Sequence, residues 1–446
     1  MGILIMIAQF FLSLSILIVL HEFGHFAPAK WFNTRVEKFY LFFDPYFSLF
    51  KAKIGETEYG IGWLPLGGYV KIAGMVDESM DMEAMAQEPK PWEFRSKPAW
   101  QRLIIMLGGV IVNFILGYLI WGTVLAVYGT EYIPAQNVKE GIYVDSLGQD
   151  LGLRNGDHIL KVGDRVFDRF NPGILRQEIS INNADNILVN RGSADVNVTV
   201  DPKWSAILAA HKYRNADLFT ARFPWQIGRI EKGSYASKSD LKLNDIILSV
   251  NGVETPYYMN VSDEIKKNKK DVMAMAIERD GQKMDININC KPGEIIGIEH
   301  LGLRNFVKTE RDDYTLGEGL VAGFHKGNNF LLTQIKAFGQ MAKGRIKAKD
   351  SMGGFRAFAQ LFPTEWNWER FWMNTAVISL ILGFMNLLPI PALDGGHVMF
   401  LLYEMISGRK PSDTFMQYAT IFGFVLVLIL LIFANGLDFL RWFRGE

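Results

Sequence analysis

The chain has 446 residues, and its 47 Lys and Arg balance its 47 Asp and Glu, so the formal net charge is zero. With 49% hydrophobic and 13% aromatic residues it is not a disordered chain, and the missing basic excess argues against a general nucleic-acid binder. A single cysteine, Cys290, excludes an intramolecular disulfide framework and any multi-cysteine metal site. Because Cys290 follows the strand-like run Ile286-Asn287-Ile288-Asn289, it reads as a structural residue rather than a nucleophile.

The charges are segregated. Residues 1–20, 103–130, 371–393 and 414–437 carry none, and each stretch is long enough to cross a hydrocarbon core of about 30 Å as a helix. We therefore expect a polytopic α-helical membrane protein of about four spans. The first stretch lacks a basic amino-terminal region, which argues for a retained span rather than a signal peptide. The expected order is a first span over 1–30, a polar loop over 31–102 and a second span over 103–130. Two β-rich domains over 131–215 and 216–300 and a helical segment over 301–370 come next. A third span within 371–400 and a fourth with its tail over 401–446 complete the chain. Lys30, Arg35 and Lys38 at one end of the 31–102 loop, and Arg95, Lys97 and Arg102 at the other, put that loop in the cytoplasm. The long segment after the second span then lies outside, and Arg409 and Lys410 mark a cytoplasmic turn.

The outer segment carries an internal repeat. Leu153-Arg154-Asn155-Gly156-Asp157-His158-Ile159-Leu160-Lys161-Val162 matches Leu241-Lys242-Leu243-Asn244-Asp245-Ile246-Ile247-Leu248-Ser249-Val250 at an offset of 88 residues, and each is followed by a turn, Gly163-Asp164 or Asn251-Gly252. That spacing suits one small β-rich domain per copy. Both copies resemble the PDZ pattern, which implies a groove where a peptide adds as an extra strand. Asn244 replaces the Gly of that pattern and tolerates the same left-handed geometry.

The chemistry begins with His21-Glu22-Phe23-Gly24-His25 at the inner end of the first span, an H-E-x-x-H motif. On a helix, positions i and i+4 share a face, so both imidazoles can bind one ion. Glu22 is placed as general base toward a water that the ion polarises. Ionisable groups extending an apolar span are functional by default. A catalytic zinc usually takes three protein ligands. His158, His211, His300 and His325 fall in the outer segment, which leaves His397 and Asp394. Pro389 and Pro391 break the helix ahead of Asp394, while Gly395 and Gly396 free the backbone after it. Irregular backbone at membrane depth belongs beside protein or a water-filled cavity. The carboxylate of Asp394 suits a His, His, Asp set.

The H-E-F-G-H motif and Asn386-Leu387-Leu388-Pro389-Ile390-Pro391-Ala392-Leu393-Asp394-Gly395 together resemble the site-2 protease family of intramembrane metalloproteases. The order of spans, the paired PDZ-like copies and the Gly-rich loop Gly62-Trp63-Leu64-Pro65-Leu66-Gly67-Gly68-Tyr69-Val70-Lys71 extend the likeness over most of the chain. Within that family it looks closest to the bacterial regulator-of-sigma-E protease type. The resemblance implies one zinc ion on His21, His25 and Asp394, with Glu22 as base. It implies cleavage of the transmembrane segment of a single-pass protein, such as an anti-sigma factor or a remnant signal peptide, after another protease has removed the outer domain. It also implies a bacterial cytoplasmic-membrane location, a re-entrant β element formed by the Gly-rich loop, and substrate contact by Asn386. We take Asn386, Pro389, Pro391, Gly67, Gly68 and Tyr69 as the candidate substrate-binding residues. The chain departs from the family at Ser351-Met352-Gly353-Gly354, where a Gly-Pro pair is common. Gly109 and Asn113 echo a family G-x-x-x-N pattern, although Gly108, Gly109 and Gly117 are explained more simply by close helix packing.

Residues 56–72 suit an edge strand and its turn, or an ordinary cytoplasmic hairpin. The expected function is an intramembrane zinc endopeptidase whose PDZ pair filters substrates by size or docks them. Two other readings compete with it. A membrane-anchored PDZ scaffold leaves the His, Glu and Asp cluster unexplained, and a metalloprotease cutting at the aqueous surface sits badly with the depth of Asp394.

Overall fold

The structure, a computed structural model, describes residues 1–65, 67–75, 88–213 and 216–444. Leu66 of the Gly-rich loop lies outside them. The chain divides into two compact units, residues 1–129, 313–335 and 352–446 in one and 130–312 with 336–351 in the other.

The first unit is built on helices α1 (Gly2–Trp31), α2 (Ala99–Tyr128), α3 (Leu316–Ala342, whose last residues group with the second unit), α4 (Trp368–Asn386), α5 (Asp394–Ser407) and α6 (Asp413–Phe443). Gly2–Trp31, Ala99–Tyr128 and Thr414–Phe443 are long and apolar enough to cross a membrane. Residues 371–393 do not form one helix of that kind. α4 opens on the polar sequence Trp368-Glu369-Arg370-Phe371-Trp372-Met373-Asn374 and stops after 19 residues at Asn386, because the prolines that follow cannot continue it. α5 restarts at Asp394. α2 packs against α1, α4 and α5. Its approach to α1 is backbone to backbone, since a side chain at Gly108 would run into the carbonyl of Gly24.

Between α1 and α2 lies a four-stranded sheet of β1 (Val36–Leu41), β2 (Phe43–Ile54), β3 (Thr57–Leu64) and β4 (Tyr69–Ile72), in the order β2-β3-β1-β4. β1 runs parallel to β3 and antiparallel to β4, with Tyr40 opposite Tyr69. β3 and β4 therefore do not form the hairpin that residues 56–72 suggest. They flank β1 from opposite sides, and β4 is an edge strand.

The second unit holds two hydrophobic cores. One gathers Ile142, Val162, Leu175, Ile187, Val189 and Phe219, and the other Ile227, Val250, Val261, Met273, Ile277 and Ile288. Strands β5 (Thr130–Tyr132) and β18 (Glu310–Asp312) pair with each other. In the first core, β6 (Ile142–Val144) pairs with β11 (Phe219–Ala221), and a sheet runs β10-β9-β7-β8. Its strands are β7 (His158–Val162), β8 (Arg165–Val166), β9 (Asn186–Arg191) and β10 (Ala194–Thr199). In the second core, β13 (Ile246–Val250), β14 (Val253–Glu254), β15 (Val272–Arg279) and β16 (Gln282–Asn289) repeat that order, with β12 (Trp225–Ile230) and β17 (Ile298–His300) added. Val189 opposite Val196 becomes Ile277 opposite Met284, so the strand register repeats at the 88-residue offset seen in the sequence.

The polar skeleton repeats as well. Asp157 is fully buried and takes two bonds from Arg191, at 2.7 and 2.8 Å, and a third from the backbone N–H of Arg154 at 2.8 Å. Asp245 is equally buried and takes two bonds from Arg279, both at 2.6 Å, and one from the N–H of Lys242 at 2.8 Å. A buried carboxylate needs such partners. Gly156 (φ +89°) and Asn244 (φ +70°) both take the left-handed conformation, as the substitution of Asn for Gly requires. Cys290 is buried, accepts from Asn268 Nδ2 at 3.6 Å, and has its thiol pKa pushed up by burial, which suits a structural role.

Candidate metal centre

α1 continues without interruption through His21, Glu22 and His25, so the two imidazoles stand one turn apart on one face. Asp394 reaches them from the first turn of α5. The three side chains are brought together, with His21 Nε2 and His25 Nε2 3.3 Å apart and Asp394 Oδ2 3.3 and 3.4 Å from them. Among the described residues they form a group able to hold a metal ion, all three ligand atoms lying within 4.8 Å of one another. Zinc bonds of about 2.0–2.1 Å in a tetrahedron set ligand atoms about 3.3–3.4 Å apart, so the triangle fits one tetrahedral face. Among the described residues, buried Asp394 Oδ2 has no polar contact beyond the two imidazoles, as expected of an atom meant for a cation. His397, the other third-ligand candidate, lies beside Phe400 in a small cavity also lined by Arg102 and Glu404.

The loop before Asp394 holds its shape through short contacts. The N–H of Ile390 donates to Leu388 O at 2.7 Å and that of Leu393 to Ile390 O at 2.9 Å. Ala392 sits at φ +100°, a strained conformation for a residue with a side chain. Gly423 of α6 rests directly on the Pro391 carbonyl, and Gly396 packs against Ile390 O and Pro391.

α2 supports the histidines from the other side. His25 Nδ1–H donates to the Ile105 carbonyl at 2.8 Å, which leaves Nε2 as the free lone pair. Gly109 lies directly under both rings, where a Cβ would meet His25 Nε2 and would stand 2.6 Å from His21 Cε1. Asn113, fully buried, stands 3.0 Å from His21 Nδ1 through its Nδ2. The sequence alone explains Gly109 by close helix packing and assigns Asn113 no role beyond its place in a G-x-x-x-N pattern. The signal that could have raised them is their spacing, one turn apart in an apolar span facing the H-E-x-x-H face.

The substrate-binding candidates divide. Asn386, the last residue of α4, has Nδ2 3.4 Å from His21 Nε2. Gly68 abuts α1, where a Cβ would come 3.2 Å from Glu22 Cγ and 2.5 Å from Ile18. Gly67 faces Phe43. Pro389 and Pro391 shape the loop before Asp394. Tyr69 commits its phenol elsewhere, donating to Asp44 at 2.8 Å and stacking on Tyr40 and Phe43.

A family model described as peptidase family M50 matches residues 9–430. The chain belongs to that family. M50 peptidases are the site-2 proteases, and this member is accordingly a zinc metalloprotease and a membrane protein. It is 27% identical over 456 residues to the regulator of sigma-E protease RseP of Escherichia coli, covering 98% of both chains. The regulator of sigma E protease of Haemophilus influenzae is also 27% identical, again over 98% of both. A relative in Rickettsia conorii, named as a zinc metalloprotease, is 27% identical over 97% of this chain and 98% of its own.

Proposed function

We propose that this M50 peptidase is an intramembrane endopeptidase. In this reading it cleaves the transmembrane segment of single-pass proteins, such as anti-sigma factors or remnant signal peptides, already trimmed by another protease. The observation that carries the reading is the triangle of His21, His25 and Asp394 beside Glu22, supplied by one long apolar helix, α1, and by α5, which restarts after the break at the prolines. His21 and His25 through Nε2, and Asp394 through Oδ2, would hold the zinc. When bound, zinc supplies a Lewis acid that polarises the scissile carbonyl and makes a water acidic near neutral pH.

Glu22 accepts a proton from the attacking water as the new C–O bond forms, and then delivers it to the amine nitrogen as the peptide C–N bond breaks. A substrate helix in lipid has its carbonyls satisfied internally and must be unwound before attack. The edge position of β4, with Gly68 against Glu22, supports its use as a template that pairs with the unwound backbone. The side-chain amide of Asn386 would bond a substrate backbone group.

We read the two repeated β-domains as a PDZ pair that bars substrates with a bulky outer domain or docks peptides. The matching Asp–Arg pairs and the left-handed residue at position 156 or 244 support one fold used twice. We place the protein in a bacterial cytoplasmic membrane in four crossings, with α4 and α5 as the broken third. The active site then faces the cytoplasm and the β-domains face outward, as the charge distribution favours.

The test is co-expression of a tagged single-pass substrate lacking its outer domain with the wild type and with Glu22→Gln. Loss of a general base slows such chemistry about 10²–10⁴-fold. Cleavage by the wild type alone, blocked by a membrane-permeant chelator, supports the reading; equal cleavage by Glu22→Gln refutes the assigned base.

A further inference from the structure

His21 is approached by two side-chain amides. Asn113 Nδ2 stands 3.0 Å from its Nδ1, and Asn386 Nδ2 stands 3.4 Å from its Nε2. A neutral imidazole carries one N–H donor and one acceptor, so two NH₂ groups cannot both be satisfied by the ring. One amide must present its oxygen instead. Among the described residues Asn113 Oδ1 is buried without a partner, and a half-turn about χ2 exchanges the amide oxygen and nitrogen without changing the shape of the side chain.

The geometry points to Asn113 as a positioning residue for the metal centre: its Oδ1 accepts the Nδ1–H of His21 and fixes the tautomer whose Nε2 lone pair faces His25 and Asp394. The arrangement then matches the one around His25, whose Nδ1–H donates to Ile105 O. The two acceptors are eight residues apart on α2, while the histidines are four apart on α1. They still converge, because helix carbonyls point toward the carboxyl end and side chains tilt toward the amino end. The carbonyl of residue 105 reaches forward, the amide of residue 113 reaches back, and both meet over Gly109, which leaves room for the rings. Fixing both tautomers from one rigid helix removes the choice of protonated nitrogen from metal binding.

The inference rests on the reading of His21, His25 and Asp394 as ligands, and the experiment separates the two. Zinc affinity is measured by competition with a chromophoric chelator on the purified full-length chain in detergent. Wild type, Asn113→Leu, Asn113→Asp and Asp394→Asn are compared. Asn113→Leu keeps the shape and loses the acceptor, and its affinity falls about 10–100-fold. Asn113→Asp offers an oxygen in either orientation and stays near wild type. Wild-type affinity in Asn113→Leu overturns the role, as does a loss in Asn113→Asp equal to that in Asn113→Leu. If Asn113→Leu does not fold, Asn113→Asp against wild type decides, retention supporting the acceptor and loss refuting it. In cobalt-loaded protein, the visible ligand-field band changes in Asn113→Leu and not in Asn113→Asp; the reverse overturns the proposal. Asp394→Asn loses the ion whichever way Asn113 acts, and if it does not, the ligand set is wrong while the Asn113 result stands by itself.

Discussion

Gly109 has no space for a methyl group, because the two imidazoles occupy the place where its Cβ would go. Gly109→Ala must push a ring off the triangle, and we expect zinc affinity to fall at least about 10-fold with helix content unchanged, read as metal retained after dialysis against a weak chelator. At this scale the sequence was readable wherever the chemistry demands particular residue types at a fixed spacing. His21 and His25, one turn apart on one helix face, are of that kind. Asp394 is nearly so, because two prolines and two glycines announce the irregular backbone that presents it. Asn113 is not, since an amide in an apolar span serves several purposes and only the distance to His21 Nδ1 singles one out. Nor could the sequence show that the phenol of Tyr69 is spent on Asp44, because the pairing joins strands that are not neighbours in the chain.

Among elements, the two Asp–Arg pairs invite a paired comparison. Arg191→Leu strands the buried Asp157 and Arg279→Leu strands the buried Asp245; leaving one charge of a buried pair alone costs about 3–5 kcal/mol. Urea unfolding of the full chain, followed by tryptophan fluorescence, is expected to show an early transition of comparable size in each variant. The 88-residue repeat was readable because a polar residue before an alternating strand is a local signal. The order β2-β3-β1-β4 was not, because the parallel pairing of β1 with β3 is set by packing rather than by the turn between adjacent strands. α6 offers a second test. Its Gly423 touches the Pro391 carbonyl, so Gly423→Val displaces the loop that carries Asp394, although residue 423 contributes no ligand. Zinc retention is expected to drop in this variant, while the same change at Gly436, which has nothing within 4 Å of its Cβ position among the described residues, leaves it intact.

For the molecule as a whole, the segregation of charge was enough to read a membrane protein with a large polar insertion. The break ahead of Asp394 was readable from Pro389 and Pro391, whereas a run without charges does not show where a helix begins; α4 starts at Trp368, on polar residues ahead of that run. If the β-domains act as a filter, deleting residues 140–290 leaves zinc content and cleavage of trimmed substrates unchanged but lets intact substrates be cut at a comparable rate. Unchanged discrimination in a co-expression assay against both substrate forms would falsify the filter.

β4 is an edge strand beside Glu22, and the groups an edge presents are amides and carbonyls, the same in every polypeptide. If β4 is the template proposed above, that template has no alphabet. Choice among incoming helices would then pass to their mechanics: a span weakened by glycine, proline or a polar side chain would surrender its coil cheaply and be cut, whereas a stiff run of leucine of the same length would be spared.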